Sequence, residues 1–465
     1  MFDIDKTIDA FRRGALNIDC KRMVLTRHKE DGERFEGQGY IRQSDDGALT
    51  FKIYVVTHNA EPYGHFHEMV SGTAGKLHGD EALYDLEATG HDNTRWMATR
   101  ILPWANWDAT DKTVLVGGRM QSMTAHLDMP QHNHYLRLHF FEEYQIPLLL
   151  MSETEEYGDR CYVRDRAEFE TCGAQFEVRQ RKGTGDTIVE LTSETSLPVA
   201  FDLRIQEAVQ YLTAKSAFWR ARLQSHDKEL RLELASPWRK SVSTQFSPPI
   251  SPHSPDFYEH GWQLFGAYLA YVTQKTQGTH WNPVAYHLYN ACETTANSVD
   301  ARAVGISVAV EAVTSLIAAA GNSEQAEKAK SDELRLYQTR VLRWLDEQVG
   351  LSEHIVKRAK GQITSMSNKG PKDTLYALSD VGRVERKYVK SWNYLRNRHV
   401  HPKLEDLSKP TPSDLQNLFD HIRKVEVLLR QLTFHLIGYG GPFTDYGADN
   451  FPSEQYPLAA EVGSG

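Results

Sequence analysis

The sequence predicts an α+β protein: an N-terminal antiparallel β-rich domain followed by an all-α C-terminal helical bundle. Three observations predict it. Apolar residues alternate with period two up to about Ser236, a break rich in Pro and Ser follows from Pro237 to Pro255, and beyond it the apolar period becomes helical. A chain of 465 residues is also too long for one ordinary core. The expected boundaries are 1–236 for the β-rich domain, 237–256 for the linker, 257–437 for the helical domain and 438–465 for a C-terminal tail.

In the first domain, Phe51, Ile53 and Val55 alternate with Lys52 and Tyr54, and Leu136, Leu138 and Phe140 with Arg137 and His139. That is the period of a half-buried strand. GQGYIRQSDDGALTFKIYV reads as a hairpin turning at Asp45, Asp46 and Gly47, and AQFEVRQRKGTGDTIVEL as another turning through Gly183 and Gly185. Gly37 and Gly39 suit a hairpin bulge; no helix follows to make them a phosphate loop. One helix is expected from Val199 to Ala214, with Phe201, Ile205, Ala208 and Leu212 on one face. Beyond the break the spacing predicts helices at Tyr258 to Lys275, Asn282 to Asn297, Asp300 to Ala320, Ser323 to Val349, Ser352 to Thr364, Val384 to Val400 and Ser413 to Ile437.

With 40% hydrophobic and 25% charged residues, the chain has the composition of a folded soluble protein. Its opening, MFDIDKTIDAFRRG, carries acids early and has no apolar core of a signal peptide. The apolar run from Gly305 to Gly321 is interrupted by Glu311 and is short for a bilayer, so a cytoplasmic protein with no membrane partner is expected. Four cysteines without a CxxC pair argue against a disulfide framework and a structural zinc site. His65, His67 and His78, and His132 with His134, have strand spacing that a metal could use, but no Cys or paired carboxylate completes either set. No metal or other cofactor is expected.

The formal net charge is −9, yet Leu351 to Val400 holds eleven Lys and Arg against four Asp and Glu. A basic face on an acidic protein suits a polyanion site confined to one place. Within this window lies VERKYVKSWNYLRNRHVHPKLED. Val384, Tyr388, Trp392 and Leu395 form a buried stripe, with Arg383, Lys387, Lys390 and Arg398 elsewhere on the helix. Five residues of regular helix rotate about 140°, which would point Arg396 and His401 apart. Pro402 ends the helix near His401 and can bring them back together. A neutral imidazole can take the proton of a ribose 2′-hydroxyl or, once charged, protonate a leaving 5′-oxygen. The Arg396 guanidinium can pair two oxygens of the phosphorane-like transition state, and Asn397 can orient the imidazole or the hydroxyl. The same residues also suit a capping cluster that complements the helix dipole. Glu311, alone on an apolar helix, is expected to be paired, as a structural anchor or as a positioning partner of Arg396.

The string RNRHVH resembles the R-polar-x-x-x-H signature of HEPN domains, and AVEAVTSL around Glu311 resembles an early HEPN helix. GQGYIRQSDDGALTFKIYV and LRIQEAVQYLTAKSAFWRARL are similar to the N-terminal domain of ApeA-like anti-phage proteins. The resemblance implies a HEPN endoribonuclease of abortive infection. Its N-terminal domain would sense a phage-derived trigger, and its helical domain would cut RNA, tRNA among the candidates, by 2′-hydroxyl attack without a metal. It implies Arg396, Asn397 and His401 as catalytic residues, Arg398, His399, Lys390 and Lys387 as RNA-binding residues, and a homodimer or higher homo-oligomer. The alternative is a catalytically inactive HEPN-type module that binds RNA or a partner protein.

Overall fold

The computed structural model describes residues 2–59, 78–107, 114–127, 134–156, 159–181, 185–226, 229–237, 246–276, 278, 280–320, 324–348, 350–365, 370–400 and 411–457. The chain divides into two compact units, Met1–Gln206 with Ala217–Ser241, and Glu207–Ser216 with Val242–Gly465.

The first unit opens with a helix that strand periodicity did not announce, α1 (Ile4–Arg12), which buries Ile8 and Phe11 and is capped by Asp3 accepting the Lys6 amide at 3.0 Å. Among the described residues, fifteen strands come after it: β1 (Asn17–Arg27), β2 (Arg34–Gln43), β3 (Leu49–His58), β4 (Tyr84–Gly90), β5 (Arg95–Ile101), β6 (Trp104–Trp107), β7 (Val114–Met120), β8 (Ser122–Leu127), β9 (His134–Phe140), β10 (Leu150–Glu156), β11 (Asp159–Thr171), β12 (Ala174–Arg181), β13 (Asp186–Ser193), β14 (Ala221–His226) and β15 (Glu229–Ala235). They join in the order β10-β11-β12-β13-β9-β14-β15-β8-β5-β4-β1-β2-β3-β7-β6. The first domain is thus an antiparallel sheet. Its core gathers one face of the alternating strands, including Leu25, Phe35, Phe51, Ile53, Trp96, Val116 and Leu232.

Both expected hairpins form. β2 and β3 pair from Phe35 with His58 to Gln43 with Leu49, with a bulge between Glu36 and Gly37. A Cβ on Gly39 would lie 1.9 Å from the Lys52 carbonyl oxygen, so only glycine lets β3 approach there. β12 and β13 pair from Gln175 with Thr192 to Arg181 with Asp186; Gly183 lies outside the described residues. The helix expected near Val199 is α2 (Phe201–Thr213).

The second unit is helical, as the change of period requires: α3 (Pro255–Lys275), α4 (Pro283–Thr294), α5 (Val299–Ala320), α6 (Glu324–Asp346), α7 (Glu353–Ser365), α8 (Pro371–Asp380), α9 (Arg386–Leu395) and α10 (Pro412–Ile437). Of these α8 was not anticipated. Proline at the first helical position in fact suits a helix start, and Leu375 and Leu378 bury the new turn. α5 is apolar enough by composition to cross a bilayer, with a mean hydropathy of 1.6. Here Ala303, Ile306, Val310 and Val313 are buried among its neighbours, so it serves as the core helix of the bundle. Its buried cation Arg302 is answered by Glu426 of α10.

The segment after Ile437 was expected to be a tail; its described part, 438–457, is packed instead. β16 (Gly441–Thr444) and β17 (Ser453–Tyr456) pair, and Phe434, Tyr439, Phe443 and Tyr456 form a ring cluster. Asp445 accepts from the buried Tyr388 hydroxyl at 2.6 Å. Glycine and proline made the segment look irregular, but its aromatic rings bury too much surface to stay in water.

Candidate active site

The stripe that the sequence assigned to α9 is buried: Val384, Tyr388, Trp392 and Leu395 lie inside the bundle. Trp392 Nε1 donates to the Ser307 carbonyl on α5 at 3.2 Å, which fixes the rotation of α9 about its axis. With that rotation set, the residues just beyond Leu395 have a defined direction.

Regular winding stops at Leu395, and Arg396–Val400 form a π-helical turn. Such turns close i→i+5 and recur at functional sites. The Arg396 Nε donates to Glu311 Oε1 on α5, and its guanidinium carbon lies 5.9 Å from the centre of the Trp392 ring. Glu311 is therefore paired, and its partner is the motif arginine. Engaging Nε leaves the outer edge of the guanidinium, with both Nη groups, free of that carboxylate. Asn397 is exposed.

Arg398 Nη1 donates to the Tyr394 hydroxyl at 2.8 Å. Lys390 is exposed, and Lys387 lies 4.8 Å from the Tyr388 ring centre and 3.8 Å from Glu385. His399, expected on the RNA-facing surface, is turned inward: its Nδ1 is 3.2 Å from Asp300 Oδ1 and only 9% of its side chain is exposed. The reason is the π turn, which rotates His399 towards the start of α5. His401 and Pro402 lie outside the described residues, as do His65, His67 and His132.

Sequence reasoning missed two neighbours. His421 of α10 stacks on Tyr394 with ring centres 4.2 Å apart. Burial lowers its pKa, helped by Lys424 and opposed by Asp420, which favours the neutral ring. Asp300 was missed as well. Neither carries a local signal, because each meets α9 or its π turn only through the packing of helices distant in sequence.

Comparison with protein-family models, with curated proteins and with solved structures found no match.

Proposed function

We propose that the helical half is a HEPN-type endoribonuclease that cuts RNA by attack of the 2′-hydroxyl, and that the chain is an ApeA-like effector of anti-phage defence. The observation that carries this reading is the pairing of Arg396 with Glu311 at a π-helical turn, beside the exposed Asn397. An ion pair through Nε holds the guanidinium in place while its Nη edge remains for phosphate oxygens. A turn closing i→i+5 is also the winding that sets residues five apart on one face, the separation of Arg396 from His401 in the sequence. On this reading His401 moves protons, Asn397 orients, and Arg398, Lys390 and Lys387 hold the RNA backbone. The imidazole supplies acid–base chemistry and the guanidinium supplies charge, so the mechanism calls for no metal.

A second reading, a silent module that binds RNA or a protein, is favoured by one observation: Arg396 and His399 both already face acids of α5. Purified chain incubated with total RNA and EDTA decides between them. Discrete products ending in 2′,3′-cyclic phosphate, absent for the His401→Ala chain and for substrates 2′-deoxy at the cut site, are the expected result. RNA bound but left whole favours the silent module, and cleavage abolished by EDTA overturns the mechanism.

A further inference from the structure

Helices α6 and α7 form an antiparallel hairpin. Gln338 Nε2 donates to the Ile363 carbonyl at 2.8 Å, and Lys360 pairs with Asp346. The less exposed positions, Leu334, Val341, Leu342 and Leu345 on α6 and Val356, Ala359 and Ile363 on α7, mark the faces turned towards each other. A rotation of about 100° per residue then assigns every other side chain to a flank. Asp346 and Lys360 fall on one flank, as their ion pair requires. The opposite flank receives Tyr337, Arg340 and Trp344 from α6 and Ile355 and Arg358 from α7.

This second flank has an unusual composition for a surface. Tyr337 is 49% exposed, Trp344 56% and Ile355 53%. Arg340 and Arg358 are exposed, and neither makes an ion pair among the described residues. Acids of this flank stand at its two ends, Glu333 one turn before Tyr337 and Glu347 one turn after Trp344. Between them lie rings, an isoleucine, cations and the neutral Gln362, with no acid. Tyr337 and Trp344, seven residues apart, are separated by about 10 Å along the helix.

We propose that this flank grips single-stranded RNA, with bases stacking on Tyr337 and Trp344 and phosphates held by Arg340 and Arg358. Every nucleotide carries a π face and a negative charge, so a surface that alternates rings with unpaired cations complements it without reading sequence. Along the sequence, Lys357, Arg358 and Lys360 begin the same basic window that ends in Arg396 and Arg398. The inference rests on the nuclease reading in that it names how the substrate is held, but it is tested by binding alone.

The His401→Ala chain is titrated by fluorescence anisotropy against an oligouridine of about twenty nucleotides, longer than one typical single-strand site, and against a duplex of the same length. The double variant Tyr337→Ala/Trp344→Ala should bind the single strand about tenfold more weakly or worse, since each lost stack is worth severalfold in affinity. Trp344→Phe should retain most of the binding, and duplex affinity should change little because paired bases offer no free face. Arg340→Glu with Arg358→Glu should weaken binding and flatten its salt dependence. Unchanged oligouridine affinity in the ring variant overturns the proposal. So does a loss of self-association on light scattering with RNA affinity intact, which would assign the flank to a second copy of the chain. A parent chain that leaves RNA whole while its ring variant loses RNA keeps this inference and sinks the nuclease reading; a parent that cuts, with the ring variant binding normally, does the reverse.

Discussion

At the scale of single residues, Arg396 and Glu311 form the contact on which the proposed chemistry turns. Arg396→Lys keeps the charge but not the fork, and an ammonium cannot span two phosphate oxygens. It should lower kcat by at least about a hundredfold, in the range of losing one transition-state donor. Glu311→Gln retains shape and a hydrogen-bond acceptor, so it should cut activity less than Glu311→Ala; equal loss in the two would mean that Glu311 acts through charge alone. The buried pair of Arg302 and Glu426, with Nε to Oε1 at 2.9 Å, makes a prediction about stability. Arg302→Met strands a buried carboxylate and should cost about 3–5 kcal/mol, while Arg302→Met/Glu426→Leu should recover most of it. Urea midpoints for the two variants check this, and additive losses would rule it out.

His139 gives the residue scale its pH dependence. The ring is 1% exposed, its Nε2 is buried without a hydrogen-bond partner among the described residues, and burial, reinforced by Arg137 and Arg181, pulls its pKa down to about 3. The unfolded chain takes up a proton near the ordinary value of 6.5, whereas the folded unit resists until about 3. The unfolded state therefore binds more protons in that window. The contribution of His139 is fully present above pH 6.5 and is lost as the pH falls from there towards 3. Chemical denaturation between about pH 7 and 4 should show a shallower fall in stability for His139→Leu than for the parent; identical slopes would remove His139 from the account.

At the scale of elements, the β2–β3 hairpin depends on glycine for a steric reason. A Cβ on Gly37 would lie 2.0 Å from the Tyr54 carbonyl oxygen of β3, and one on Gly39 1.9 Å from that of Lys52, distances no Cβ tolerates. Gly39→Ala should force the strands apart and cost about 1–3 kcal/mol, the range for overpacking a fitted site. A thermal midpoint equal to the parent's would show that the strand yields without cost. The hairpin was legible from its turn residues and alternation, but which neighbour made its glycines necessary was not. The same holds for α9. Its apolar stripe was evident in the sequence, while its π-helical end, where Arg396 meets Glu311 and His399 meets Asp300, was not.

At the scale of the whole molecule, the proposed mechanism implies assembly. One candidate histidine stands in the motif of each chain, and in-line attack benefits from a base on one side and an acid on the other. Two copies related by a two-fold axis would supply both. Specific cleavage activity should therefore rise with protein concentration in step with the dimer fraction measured by light scattering. Activity per chain that stays constant down to concentrations where the protein is monomeric would exclude a composite site.

The sequence by itself determined the order of a β-rich half and a helical half, the approximate span of most helices and the basic window that holds Arg396, because period and composition are local properties of the chain. Only the tertiary structure decided that Glu311 meets Arg396, that His399 turns to Asp300, that His421 stacks on Tyr394 and that the last aromatic segment packs as a hairpin. Each of the first three joins residues far apart in sequence, and the hairpin is held by the Phe434 ring of α10, which precedes it. Their proximity comes from how whole helices and strands bury their apolar faces, and no local window of sequence contains that information.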